Sequence, residues 1–209
     1  MRSARGYLWN DNMSTPSPLT IDFSSGAIAH RLRFGGGRGQ ALPRAVGMKG
    51  GNTPDIVDAT AGLGRDAFLL ASLGARVTLI ERSPEMHALL ADALARAADS
   101  DVGGIIARMT LLYGDAKDLL ADLSPEVVMV DPMHPTRSKS ALVKKEMRQI
   151  REIVGVDRDA PALMQVALAS ARNRVVLKWP QKAELMAGLP KPSHQITGKS
   201  TRYDVFMVG

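Results

Sequence analysis

The 209-residue sequence contains no cysteine. That excludes disulfides, thiolate metal sites and a cysteine nucleophile, and it fits a reducing cytoplasm. No apolar run approaches the ~20 residues needed to span a bilayer. The N-terminal "MRSARGYLWNDN" carries basic residues but no apolar segment of a secretory signal, so a cytoplasmic, membrane-free protein is expected. His30, His87, His134 and His194 show no metal-ligand spacing, so no metal is expected. Acidic residues are absent from Phe23 to Pro54, where Arg31, Arg33, Arg38, Arg44 and Lys49 fall. From Pro132 to Ile150 the sole acid is Glu146, against Arg137, Lys139, Lys144, Lys145 and Arg148. Two such basic blocks, in a chain of net charge +6, fit either a polyanionic partner or a solvated surface.

The length and the 45% apolar content fit one domain with a small appendage. Residues 1–50 read as an N-terminal extension with a basic Gly-rich loop, and 51–209 as the main domain. The first 20 residues are polar and Pro/Ser-rich, a loosely attached lead-in. A short strand is expected around Ile21-Asp22-Phe23, a loop at "FGGGRG" and a short helix at "ALPRAV". From Asp55 strand-like and helix-like segments alternate. "DIVDAT", "ARVTLIE", "MTLLYGD", "EVVMVDP" and "NRVVLKWP" are short apolar runs, several β-branched. Between them lie helical stretches from Arg65 to Leu73, from Pro84 to about Ala98 and over "AKDLLADL". Ser83 before Pro84 is a good helix cap. A helix from about Ser140 to Val154 carries an apolar stripe of Val143, Met147, Ile150 and Val154. Another has Ala160, Leu163, Met164, Ala167, Leu168 and Ala171 on one face. "HQITGKSTRYDVFMV" closes the chain as a hairpin. The pattern predicts an α/β, Rossmann-like fold: a mostly parallel sheet with an antiparallel C-terminal hairpin and helices on both faces. "GKS" is no nucleotide loop, because Ser193 stands where that motif needs glycine.

Ligands of such sheets bind beyond the carboxyl ends of the strands. Those ends carry Asp58, Glu81, Asp115 and Asp131. Each alone reads as a helix cap or turn residue. Four at successive strand ends point to ligand binding. Gly62-Leu63-Gly64-Arg65-Asp66-Ala67 fits the G-x-G-x-x-G/A fingerprint of dinucleotide sites, and Glu81 stands where a ribose-binding acid falls. A nicotinamide-dependent oxidoreductase explains those residues. S-adenosylmethionine explains more. Asp58-Ala-Thr60-Ala-Gly62-Leu-Gly64 overlays the D-x-G-x-G-x-G loop of class I methyltransferases, with Thr60 in place of the first glycine. Asp58 can receive the methionyl ammonium, Glu81 both ribose hydroxyls, and Asp115 the adenine amino group.

"VDPMHP", with Asp131, Pro132 and His134, resembles the [D/N/S]-P-P-[Y/F] loop of enzymes that methylate exocyclic amino groups of bases. The amino lone pair of guanine N2 or adenine N6 is delocalised into the ring and is a poor nucleophile. A side-chain oxygen and a backbone carbonyl can accept its two N–H bonds, proline fixes that backbone, and a ring at the fourth position stacks on the base. Here Met133 replaces the second proline and His134 the aromatic ring. Lys144, Arg148 and Arg151 fall at i, i+4 and i+7 on the helix that follows, either a phosphate-tracking face or an exposed one.

Read together, "IDFSSGAIAHRLRFGGGRGQAL", "VDATAGLGRDAF", "ERSP", "DPMHPTRSKSALVKKEMR" and "RVVLKWP" resemble the bacterial small-subunit ribosomal RNA guanine-N2 methyltransferase family, from about Ile21 to the C-terminus. The resemblance implies a class I methyltransferase fold and S-adenosylmethionine as cofactor. It implies 16S rRNA or the 30S subunit as partner and methylation of one guanine N2. It puts cofactor contacts at Arg65-Asp66, Glu81-Arg82, Asp115-Ala116 and Asp131, and the family often has serines where Asp115-Ala116 stand. Arg31, Arg33 and Arg38 join Lys144, Arg148 and Arg151 as candidate RNA contacts. The competing readings are the oxidoreductase and a non-catalytic RNA-binding or ribosome-assembly factor on the same fold.

Overall fold

The computed structural model describes residues 19–24, 37–133, 157, 159–198 and 200–209. The helix anticipated from Ser140 to Val154, with its apolar stripe, lies outside them. A 3-10 turn, Gly37–Gly39, leads into α1 (Ala41–Ala45). Then follow β1 (Asp55–Asp58), α2 (Arg65–Ser72), β2 (Arg76–Glu81), α3 (Pro84–Ala98), α4 (Gly103–Ile106), β3 (Met109–Tyr113), α5 (Ala116–Leu123) and β4 (Val127–Val130). After the residues outside the description come α6 (Ala160–Ser170), β5 (Arg174–Pro180), β6 (His194–Thr197) and β7 (Thr201–Met207). Among the described residues no helix is long and apolar enough to cross a membrane.

The seven strands form one sheet in the order β3-β2-β1-β4-β5-β7-β6. The first five run parallel, and β7 joins β5 antiparallel with β6 outside it. Parallel strands covered on both faces need apolar side chains at consecutive positions. β4 shows this, being buried at all four residues. Successive side chains point to opposite faces, so Ile56, Leu79, Met129 and Val176 enter one core with α1, α2 and α3, while Val57, Ile80, Val130 and Leu177 enter the other with α5 and α6. Leu42, Val46 and Met48 belong to the first core, so this part of the chain packs against the sheet. At α3, Ser83 Oγ accepts the Met86 N–H at 3.3 Å and Pro84 occupies the first turn, as the sequence predicts.

One expectation at the N-terminal side is corrected. Ile21-Asp22-Phe23 form no strand. Asp22 Oδ1 instead accepts from the Ser24 backbone N–H (2.9 Å) and hydroxyl (2.7 Å), a local turn that competes with strand pairing. Ile21 and Phe23 are still buried, with Phe23 stacked on Phe68 at 5.0 Å between ring centroids. Of the lead-in only its last two residues are described, and Leu19 packs with Met86, beside Leu63 and Met133.

Gly64 links this packing to the turn into α2. It caps the helix in a left-handed conformation, φ 67°. A Cβ there would stand 2.9 Å from Leu90 Cδ1 and 3.1 Å from Phe23 Cζ. Gly64→Ala is therefore expected to cost at least about 1–2 kcal/mol from the backbone alone, and more from displacing Leu90 and Phe23. Gly104, in α4 with open space around it, is the control: Gly104→Ala stays within about 1 kcal/mol of the parent or gains stability. Urea unfolding of the two variants tests this, and equal stabilities would overturn it.

Candidate active site

The loops after β1, β2, β3 and β4 and the end of β5 enclose a cavity of about 320 Å³ at the carboxyl ends of the strands. Asp58, Gly62, Arg65, Asp66, Glu81, Arg82, Asp115, Ala116 and Asp131 all line it. Gly64 lies beneath, turning the chain into α2. Pro132 is buried beside Asp131 and outside the lining. His134, Arg31, Arg33, Lys144, Arg148 and Arg151 lie outside the described residues. Arg38 is not brought to the cavity. Its guanidinium donates to the Asn52 carbonyl (2.7 Å) and the Leu73 carbonyl (2.9 Å), just before β1 and β2 and hence at the opposite end of the strands.

Each acid is held in its own way. Asp58 is 2% exposed, and its Oδ1 accepts the Thr60 N–H at 3.1 Å. Burial pushes its carboxyl up to about 7. The Thr60 N–H opposes the rise, the charges of Asp66 and Asp131 add to it, and Lys178 opposes it. Glu81 is buried at the end of β2, where Oε2 accepts the Gly62 N–H (3.0 Å) and Oε1 the Ser83 N–H (2.8 Å). It thus fixes the glycine loop as well as facing the cavity. Asp115 realises the capping reading, with Oδ1 accepting the Lys117 N–H of α5 at 2.9 Å. Its Oδ2 stands 3.4 Å from the Lys117 ammonium, at the cavity wall.

Several residues at the site escape sequence reasoning. Thr60, conspicuous only as a departure from the glycine pattern, accepts the Asp131 N–H on Oγ1 at 2.7 Å and so joins the loops after β1 and β4. Lys178 was visible as the one charge in "VVLKW". Its ammonium donates to Asp66 (2.7 Å) and to Asp131 (2.6 Å). Asp157 and Asp159 precede α6 and belong to no motif. Both pair with Arg82, at 2.5 and 2.8 Å, across 75 and 77 residues of chain that no spacing rule connects. Asp157 also accepts the Met133 N–H at 2.6 Å. The Lys117 ammonium, with Arg82, holds the Asp159 carboxyl down at about 2 against partial burial.

Among the described residues, seven acidic side chains face the cavity against three cationic ones, Arg65, Arg82 and Lys178. That excess of negative charge suits a ligand carrying positive charge. A sulfonium and an ammonium fit it. A dinucleotide pyrophosphate would bring two more negative charges among the acids, with few cations to meet them.

The family model described as "Putative SAM-dependent methyltransferase" matches residues 4–208. Among curated proteins, the chain is 69% identical over 195 residues to the ribosomal RNA small subunit methyltransferase J of Brucella anthropi, covering 91% of this chain and 94% of that one. It is 66% identical to the protein of the same name from Agrobacterium fabrum, with 91% and 92% covered. With the Pseudomonas aeruginosa protein of that name the identity is 56%, covering 92% of this chain and 75% of the relative. Among solved structures, a SAM-dependent methyltransferase from Neisseria gonorrhoeae is 35% identical with a TM-score of 0.73, covering 93% of this chain and 76% of that one.

The raised carboxyl of Asp58 sets a pH dependence. Its ordinary value is 3.8 and the folded value about 7. A raised folded value means that the neutral acid stabilises the fold fully below pH ~4, and that this contribution is lost as the pH rises to about 7. Asp58→Asn stays neutral. Its stability relative to the parent should therefore grow by up to ~1.4 kcal/mol per pH unit between pH 4.5 and 7, then level off. Urea unfolding of ligand-free protein across that range checks it, and parallel stability curves would show that Asp58 is not the buried titrating group.

Proposed function

The chain belongs to the SAM-dependent methyltransferase family that contains these ribosomal RNA small subunit methyltransferases, and from that premise we propose that it methylates the exocyclic N2 of a guanine in 16S rRNA. The observation that carries the reading is the place of Asp131. This carboxylate stands at the mouth of the acid-rich cavity, with Pro132 beside it and 39% of its side chain exposed, where an amino group from a splayed-out base can dock. Such a substrate, free or within the 30S particle, places the protein in the cytoplasm.

Bound S-adenosylmethionine supplies a methyl group already activated by its sulfonium, so catalysis is chiefly positioning and electrostatics. Asp58 would hold the methionyl ammonium, Glu81 the ribose hydroxyls and Asp115-Ala116 the adenine, with Arg65, Asp66 and Arg82 completing the wall. Glu81 suits this even with two backbone N–H bonds in place, because each carboxylate oxygen has a further lone pair. Asp131 and the Pro132 carbonyl accept the two N–H bonds of the target amino group and orient its nitrogen. The nitrogen would form its bond to the methyl carbon as the carbon–sulfur bond breaks, leaving the neutral thioether S-adenosylhomocysteine, and would lose a proton to Asp131 or to solvent. His134 supports the base. Arg31, Arg33, Lys144, Arg148 and Arg151 track RNA phosphates. Arg38, whose guanidinium also bonds the Asn52 and Leu73 carbonyls, is the sixth candidate RNA contact.

The test is transfer of a tritiated methyl from S-adenosylmethionine to undermodified 30S particles and to free 16S rRNA, with mass mapping of the product. One N2-methylguanine is the expected outcome. RNA binding without transfer would instead favour an assembly factor. Asp131→Ala should lower kcat far more than tenfold while cofactor affinity changes much less. A loss below tenfold, under ~1.4 kcal/mol, would refute the orienting role. Glu81→Ala should weaken cofactor binding without altering RNA affinity, since each charge-assisted bond is worth roughly 1.5–3 kcal/mol. Calorimetry reads this directly, and an unchanged Kd would move the ribose site elsewhere.

A further inference from the structure

β5 delivers one charged side chain to the site. Val175, Val176 and Leu177 are buried in the two cores, and Lys178 is the first residue beyond them at the carboxyl end of the strand. A lysine stem can reach water from such a position. This one turns inward, and its ammonium donates to Asp66 on α2 and to Asp131 after β4, at 2.7 and 2.6 Å. Three elements of the fold meet at that ammonium.

Asp131 is thereby held at two points. Its backbone N–H is bound by Thr60 and its Oδ2 by Lys178. Among the described residues no hydrogen bond is made to Oδ1, the oxygen that would meet an incoming donor. Building on the reading that Asp131 docks the target amino group, we propose that Lys178 is a positioning residue. Shared between Asp66 and Asp131, it keeps Asp131 an oriented carboxylate with one oxygen turned to the amino group of the base.

The electrostatics support the geometry. Burial raises the Asp131 carboxyl, Lys178 lowers it, and the carboxylates of Asp66 and Asp157 raise it further. Asp58, at the end of β1, adds a fourth acid to the group, coupled to Asp66, Asp131 and Lys178. The ammonium itself is pushed up from its ordinary value, because the two carboxylates outweigh the burial that opposes its charge. Solvent in the open cavity tempers the rise at Asp131. A bound base displaces that solvent, so the dependence on Lys178 grows at the moment of reaction. Without the ammonium, the Asp131 carboxyl rises further and its protonated form is favoured. A protonated acid presents an O–H toward the amino N–H bonds and cannot take the proton that the nitrogen loses as its bond to carbon forms.

Lys178→Gln removes the charge and keeps a hydrogen-bond donor, and Lys178→Arg keeps the charge. For Lys178→Gln we expect single-turnover methyl transfer to fall at least tenfold at pH 7 and its acidic limb to move up by a pH unit or more. The Kd for S-adenosylmethionine should stay within about threefold. Lys178→Arg should restore most of the rate and the parent pH profile. In ligand-free protein, the Asp131 carboxyl followed by carbon NMR should titrate higher in Lys178→Gln than in the parent. An unchanged pH profile and an unchanged Asp131 titration would overturn the proposal, and so would a lost Kd with an unchanged profile, which would assign Lys178 to the cofactor. Should Lys178→Gln fail to fold, Asp66→Asn decides: with the competing carboxylate gone, Asp131 should titrate lower, and no movement overturns the proposal. Asp131→Ala separates this inference from its premise. If that variant stays active the docking role fails, whereas an essential Asp131 with an indifferent Lys178 defeats the positioning role alone.

Discussion

The molecule has to hold several carboxylates close together at the ends of parallel strands. Two unit charges ~4 Å apart repel by about 4 kcal/mol at the effective dielectric of a protein surface, a large share of the 5–15 kcal/mol that stabilises a whole domain. Each acid of the cavity therefore needs a partner or must stay protonated. Asp66 and Asp131 share Lys178, while Asp157 and Asp159 share Arg82. Glu81 takes two backbone N–H bonds. Asp58, the most enclosed, has one backbone N–H and a carboxyl raised to about 7. Among the described residues acid remains in excess, which suits a cofactor that carries positive charge.

The same bonds tie the loops into a unit. Thr60 joins the β1 loop to Asp131, Gly62 joins the glycine loop to Glu81, and Asp157 joins Arg82 to Met133. The side expected to meet the cofactor and the side expected to meet the base are thus one hydrogen-bonded framework. A framework of fixed donors and acceptors suits a reaction that needs mainly alignment. Leu19 extends the framework to the N-terminal segment through Met133 and Leu63.

Much of the fold was legible in the sequence. α3 starts at Pro84 because Ser83 caps it and proline is preorganised for a first helical turn, and α2 starts at Arg65 because two glycines make the turn before it. Ile21 to Phe23 misled because alternating apolar residues signal burial, and burial was correct. Whether the backbone pairs with a neighbouring strand depends on what lies beside it, and the side chain of Asp22 supplied a local alternative. α4, opening on two glycines, offers no propensity signal at all. It forms where the chain turns between α3 and β3.

The sequence by itself determined the alternation of strand and helix, the glycine turn, the acids at the strand ends and the family to which the chain belongs. Each is a local pattern, carried by residues near one another in the chain and by the fixed periodicities of helix and strand. Only the tertiary structure decided which acids share a cation. The partners of Lys178 lie 47 and 112 residues away, and those of Arg82 75 and 77. Tertiary structure also turned Thr60 from a departure in a motif into the bond that holds Asp131, and set Arg38 at the far end of the strands from the cavity. The physical reason is that electrostatic pairing is fixed by distance in space, and the sheet order β3-β2-β1-β4-β5 brings the ends of β1, β4 and β5 side by side.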